Sequence, residues 1–461
     1  MIYRVSLIFL AAFFVAAIFG CSPNGSTEST AAIAVATITA PDSDAPQTLL
    51  KNVRVWDGTS DGLTESTNVL VVNNLVHSIG PEVSSDDASV IDGGGRTLMP
   101  GLIEMHTHLM FQFGVPVSRT FDHAAMGAAA YEGMQTYMSM GYTTLRDVGG
   151  NSLSISRALA EGRIRGPRVY SSGGPINGIS GHSDLGLLTN GPYDSVFQRR
   201  GDTNVVTGPV EVTAAVRTIL RQGGTHIKVM PGGGVASNFD PLEATTMTEE
   251  ELRAAVEAAA DFGTYVCAHA YTDESVNRFF DAGGRCIEHG FLMSETTVKR
   301  MKEIGAVLSL QPYAGYETFK EPEKIAGFSA ENIRKGRQVN AGADQVLRWV
   351  AEHEVDTFAG ADLWTTELIP KTAEDMVLRK RWFSNFEILK QNTSNAARWL
   401  AKSGPKNPYK EGALGVIEIG AYADMILVDG NPLEDIAVLA DYDNNIKLII
   451  KDGETYKNTI Q

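Results

Sequence analysis

Cysteine is scarce in this chain: three residues in 461, at Cys21, Cys267 and Cys286. So few give no disulfide framework. Cys267 and Cys286 sit in strand-like runs with no pairing pattern and read as buried free thiols. Basic residues are in deficit as well, 39 Lys and Arg against 55 Asp and Glu, for a net charge of −16. That balance excludes a nucleic-acid footprint and a basic patch for anionic lipid. The long apolar run, Val5 to Phe19, falls short of a comfortable transmembrane helix. What is there is ordinary for a soluble enzyme, 43% hydrophobic and 20% charged residues. The length suits one large barrel with an accessory module.

Arg4 is the sole charge before that apolar run, which ends in Ala17-Ile18-Phe19-Gly20-Cys21. The stretch resembles a bacterial lipoprotein signal: residues 1–20 would be removed and Cys21 lipidated. The protein is then expected to be exported and anchored at the outer membrane, facing the periplasm or the cell surface. Phe19 departs from the pattern, and an ordinary signal peptide or an uncleaved anchor are the alternatives. Residues 21–47, rich in Ser, Thr, Ala, Asp and Pro without an aromatic, read as a flexible tether.

Short alternating runs follow in 48–99, with an Asn73-Asn74 turn, and recur in 404–461 at 415–420, 423–430 and 446–453. Neither set buries two faces alone, so one small β-sandwich module built from both chain ends is expected. Between them, in 100–403, strand-like and helix-like segments alternate. Candidate strands end near His106, Asp147, Gly173, Met230, His269, His289, Leu310 and Ala361, which makes eight. Thr248 with Glu251 forms a capping box ahead of an intervening helix. Eight strands with crossover helices predict an α/β fold, a (β/α)₈ TIM barrel with its chemistry at the strand C-terminal ends. His123 and His353 fall in predicted helices and His77 in the module; none is given a role.

The run Met99-Pro100-Gly101-Leu102-Ile103-Glu104-Met105-His106-Thr107-His108 ends in two histidines one residue apart. Strand alternation puts both imidazoles on one face, half of a divalent-metal site. In isolation the pair also fits two strand-end residues satisfied by carbonyls. Sibling strand ends carry Lys228, His269, His289 and Asp362, so titratable and metal-ligating groups converge on one rim. Lys228 precedes the glycine-rich turn Pro231-Gly232-Gly233-Gly234, and alone it also fits a lysine snorkelling from the rim. His226 shares its face one layer deeper and reads as core.

Across Leu49 to Gln461 the chain resembles the amidohydrolase superfamily of metal-dependent hydrolases. The carriers are Pro-Gly-Leu-Ile-Glu-Met-His-Thr-His (100–108), Ile-Lys-Val-Met (227–230), Ala-His-Ala-Tyr (268–271), Ile-Glu-His-Gly (287–290), Gly-Ala-Asp (360–362) and Ala-Asp-Met-Ile-Leu-Val-Asp-Gly (423–430). Within it the chain looks most like the prolidase-like and Xaa-Arg dipeptidase-like branch, which includes ochratoxin-hydrolysing amidases. The resemblance implies two divalent ions, zinc by default, bridged by a Lys228 carboxylated from CO2 or bicarbonate. His106, His108 and Asp362 would bind the more buried ion, and His269 and His289 the more exposed one. A bridging hydroxide would attack the carbonyl, with Asp362 moving the proton. His182, in the loop 178–184, and Tyr271 are candidate substrate contacts. Arg146 is a candidate carboxylate clamp or a structural ion-pair partner.

The expected activity is hydrolysis of amide bonds in dipeptides or N-acyl amino acids with a free carboxylate. A mononuclear deaminase or cyclic-amide hydrolase on the same fold is the alternative within enzymes. A non-catalytic surface binding lipoprotein is the alternative outside them. Expected partners are a small amide substrate and a membrane reached only through Cys21, with a homo-oligomer left open.

Overall fold

The computed structural model describes residues 44–191 and 193–460. The expected signal peptide, Cys21 and the tether up to residue 43 lie outside the described residues. No described helix is long and apolar enough to cross a membrane.

The chain opens with β1 (Gln47–Val55), β2 (Thr67–Val72), β3 (Leu75–Gly80), β4 (Ser89–Asp92) and β5 (Thr97–Pro100). β2 and β3 form the hairpin expected at Asn73-Asn74, and Asn73 takes the positive φ, 54°, that such a turn needs. After one glycine the barrel begins: β6 (Leu102–Thr107), β7 (Tyr142–Asp147), β8 (Arg168–Ser171), β9 (Ile176–Asn177), β10 (Asn204–Val205), β11 (Ile227–Val229), β12 (Val266–Thr272), β13 (Cys286–Leu292), β14 (Val307–Leu310) and β15 (Asp356–Ala359). β16 (Met425–Val428), β17 (Ile446–Lys451) and β18 (Glu454–Asn458) then return to the first sheet.

That sheet joins both ends of the chain in the order β18-β17-β16-β5-β1-β2-β3, with β4 on β1. An irregularity between Leu50 and Val53 lets β1 pair β2 with its first half and β5 with Arg54 and Val55. Alternate residues from both ends, including Leu50, Val53, Val69, Val71, Leu98, Met425, Leu427, Leu448 and Ile450, form a core of their own. The strand expected over 415–420 is absent. Gly415 at φ 69° turns the chain there, and Ile417 is the one buried side chain of the run, its N–H bonded to Asp57 O.

The barrel strands are buried along nearly their whole length, as parallel strands covered by helices must be. β6-β7-β8 form one arc and β10-β9-β11-β12-β13-β14-β15 the other. The arcs meet where Thr225 N–H donates to Ser171 O (2.9 Å) and Asp362 N–H donates to His106 O (3.2 Å). Gly360 makes the second junction possible, because a Cβ there would lie 2.7 Å from His106 Cβ. The crossover helices carry the expected caps, including the Thr248–Glu251 box on Glu249–Ala260 and a Ser329–Asn332 box on the helix Ala330–Glu352. At the other end of the barrel, Arg168 at the start of β8 bonds Asp424 (2.8 Å) and Asp452 (2.7 Å) of the module.

Candidate active site and metal centre

His106, His108, Lys228, His269, His289 and Asp362 line one cavity of ≈ 150 Å³ beside the C-terminal strand ends. His182 reaches the same cavity from the loop after β9, and Phe111, Val115, Leu185 and Trp364 supply an apolar wall. Asp362 Oδ1 lies 3.3 Å from His108 Nε2 and 3.6 Å from His106 Nε2. The His289 ring sits 5.1 Å from that of His106 and 4.6 Å from that of His269.

Two of these residues leave regular strand geometry. His289 has φ 75° and Asp362 φ 56°, the left-handed region that L side chains avoid. Each costs on the order of 1–2 kcal/mol. At His289 the departure lets adjacent residues serve one interior: Glu288 Oε2 accepts from His106 Nδ1 (2.7 Å) while His289 faces the cavity.

The second nitrogen of three rings is already engaged. His106 Nδ1 donates to Glu288, His108 Nδ1 to Gly149 O (3.3 Å) and His269 Nε2 to Gly233 O (3.2 Å). All three partners only accept, so in the neutral form of each ring the other nitrogen carries the lone pair a metal would take. Burial, reinforced by His182 beside His269 and by His106 beside His289, holds these two imidazoles well below their ordinary pKa and therefore neutral. Burial alone would raise the Asp362 carboxyl, but its electrostatic and hydrogen-bonding contacts with the facing His106 and His108 outweigh it and hold the group well below the usual carboxylate range. Neutral imidazoles beside an ionised carboxylate are the form a divalent cation binds.

Two buried atoms test whether such an ion fits. Lys228 Nζ and Asp362 Oδ1 have no hydrogen-bond partner among the described residues. A buried polar atom left unpaired is costly, and here two of them face one cavity with five imidazoles. Ligand atoms of His106, His289 and Asp362 lie within 4.8 Å of one another. The residues present fit a divalent ion.

Of the two roles expected of Arg146, the structure shows the structural ion-pair partner and not the substrate clamp. Arg146 is fully buried away from the cavity and donates to Glu288 Oε1 (2.6 Å) and Met105 O (2.6 Å), its guanidinium over the Phe358 ring. The carboxylate it clamps is Glu288, not a substrate's; the neighbouring Asp147 accepts from Leu109 N–H, Thr107 and Ser152. Tyr271 packs its ring on His289 (5.3 Å) and edge-on to His269 (5.1 Å), against the imidazoles of the site. His226 is core, stacked on Tyr265, and Cys267 and Cys286 are buried free thiols facing each other across β12 and β13.

Sequence reasoning gave no role to Glu288 or Glu104. Glu104 accepts from the N–H groups of His106 (2.9 Å) and Ala361 (2.8 Å), tying first strand to last, and burial pushes its carboxyl up to about 8. A signal for it existed, since it lies two residues before His106 on the same face. Glu288 had none, because strict alternation would point it away from His289.

The amidohydrolase family model matches residues 97–456. Ochratoxinase of Aspergillus niger is 29% identical over 378 residues, 78% of this chain and 75% of its own. A prolidase solved with N-methylphosphonate-L-proline is 31% identical, with a TM-score of 0.82 covering 90% of this chain and 100% of its own. A Xaa-Pro dipeptidase solved with bound methionine is 29% identical, with a TM-score of 0.78 over 89% and 100% of the two chains. With the fold, the rim of ligating side chains and these similarities together, the chain belongs to the amidohydrolase family, in the branch of ochratoxinase and the prolidases, and is a hydrolase of carbon–nitrogen bonds.

Proposed function

We propose that this chain hydrolyses the amide bond of dipeptides or N-acyl amino acids with a free carboxylate, using two divalent ions, zinc first among them. His106, His108, His269, His289, Asp362 and a carboxylated Lys228 would hold the ions. The observation that carries this reading is the Lys228 nitrogen, buried and unpartnered beside the imidazoles. Addition of that amine to carbon dioxide, with loss of a proton, replaces an unaccepted nitrogen by two anionic oxygens. When bound, the ions supply Lewis acidity, which acidifies water and polarises a carbonyl.

The protein groups have separate tasks. Asp362 Oδ1 takes a proton and returns it to the leaving nitrogen. Glu288 and the carbonyls of Gly149 and Gly233 keep three imidazoles turned inward. His182 holds a carbonyl or carboxylate oxygen of the substrate. The wall of Phe111, Val115, Leu185 and Trp364 excludes water and suits an apolar side chain. The test is a dipeptide and N-acyl amino acid library with zinc and bicarbonate supplied, hits being sorted by C-terminal residue. Turnover of free-carboxylate amides supports the reading, and none by metal-loaded protein contradicts it.

We also propose that residues 1–20 direct export and that Cys21 carries lipid. Fatty-acid labelling in the native host should mark the wild type and not Cys21→Ser; equal labelling would contradict it.

A further inference from the structure

The glycine-rich turn after β11 has a use that metal binding does not exhaust. The His182 ring stacks on His269 at 4.0 Å and 13°, and its Nδ1 lies 2.7 Å from Ser237 Oγ and 3.5 Å from Asp240 Oδ2. Ser237 Oγ is also 2.7 Å from Asp240 Oδ2 and 3.2 Å from Gly234 O. A hydroxyl has one proton, and both of those oxygens only accept. The proton of Ser237 is therefore committed to one of them, and His182 Nδ1 must donate. Gly234 leaves room for the ring: a Cβ there would sit 1.9 Å from His182 Nδ1.

The loop bearing Ser237 and Asp240 is held from behind by a distant helix. Lys335, buried on the helix Ala330–Glu352, donates from Nζ to the carbonyls of Gly234 (2.9 Å), Ser237 (3.0 Å) and Asp240 (2.7 Å). Asn332, one turn earlier, donates to Val235 O (2.6 Å) and Ser237 O (3.0 Å). Five hydrogen bonds from two buried side chains thus hold a segment that would otherwise be a free loop. Ser237 itself does not line the cavity.

We propose that Ser237, backed by Asp240 and clamped by Lys335 and Asn332, is a positioning residue for His182, fixing the ring with Nδ1 donating to Ser237 Oγ and Nε2 turned to the cavity, where it can donate to a substrate oxygen only when the ring carries both protons. The kinetic consequence rests on the reading of His182 as a substrate contact; the Nδ1 donor role does not.

Two measurements on the metal-loaded full chain test it. In ¹⁵N-histidine spectra, with the His182 signals assigned by loss in His182→Gln, Nδ1 should be pyrrole-type. Ser237→Ala should abolish that preference and Ser237→Thr restore it. In steady-state assays Ser237→Ala should raise KM about tenfold, the size of one hydrogen bond, with kcat held within about twofold. In a His182→Ala background the same change should add nothing, because the ring it positions is gone. A pyridine-type Nδ1 in the wild type overturns the proposal. So does a wild-type KM for Ser237→Ala where His182→Ala raises KM. If His182→Ala leaves KM unchanged, the substrate-contact reading fails, and the spectra still decide the positioning claim.

Discussion

Arg146 and Glu288 face each other at 2.6 Å with no solvent contact, and the second oxygen of Glu288 holds His106. Burial alone would raise the Glu288 carboxyl; Arg146, Lys228 and His106 together hold it well below the usual range. Removing one partner of such a pair leaves a buried charge uncompensated. Arg146→Met should therefore cost about 3–5 kcal/mol in urea unfolding and lower metal occupancy, whereas a loss under about 1 kcal/mol would show that the pair is dispensable. Asp147 behaves oppositely. Burial outweighs its hydrogen bonds and pushes its carboxyl up to about 6 from 3.8. A raised carboxyl pKa means the folded protein binds the proton more tightly than the unfolded chain. This contribution is fully present below pH 3.8, falls as pH rises to about 6, and amounts to roughly 3 kcal/mol. Relative to wild type, Asp147→Asn should gain stability between pH 4 and pH 7 in chemical denaturation. A constant difference across that range would refute the assignment.

Among the elements, strand ends decide the site. All eight expected barrel strands exist, and the six expected ligands share a cavity, because a parallel barrel sends strand C-termini to one rim whatever the loops do. That much was legible in motifs and alternation. Arg146 was not, since being on a strand says nothing about which layer of the interior it occupies. Glu288 and His289 share one interior only through a positive φ that no spacing rule announces. Lys335 lies about a hundred residues from the carbonyls it holds, a tertiary contact without local signature. The run 415–420 alternates like a strand, yet it lies outside the sheet, which takes β16, β17 and β18 from this end of the chain. The junction of first and last strands gives the element-scale prediction. Gly360→Ala would force a Cβ to within 2.7 Å of His106 Cβ and 2.9 Å of its N. Overpacking of this kind costs about 1–3 kcal/mol and should weaken metal binding at His106 first. A variant with unchanged stability and metal content would contradict the close approach.

At the scale of the molecule, one sheet built from both chain ends pins the barrel at its opposite pole, where Arg168 meets Asp424 and Asp452 and stacks over Tyr422 at 3.7 Å. The rim that carries the candidate ligands is thus left to the loops of the other end, where His182, Phe111 and Trp364 line the cavity. Lys228, without a hydrogen-bond partner among the described residues, would complete a two-metal site as a carbamate. Metal analysis of the purified full chain, reconstituted with zinc and bicarbonate, is to be run beside Lys228→Ala. The wild-type chain should hold two ions. Lys228→Ala should hold at most one, with amide hydrolysis lowered at least a hundredfold, on the order of a lost metal-positioning group. Two ions and full activity in Lys228→Ala would contradict that role.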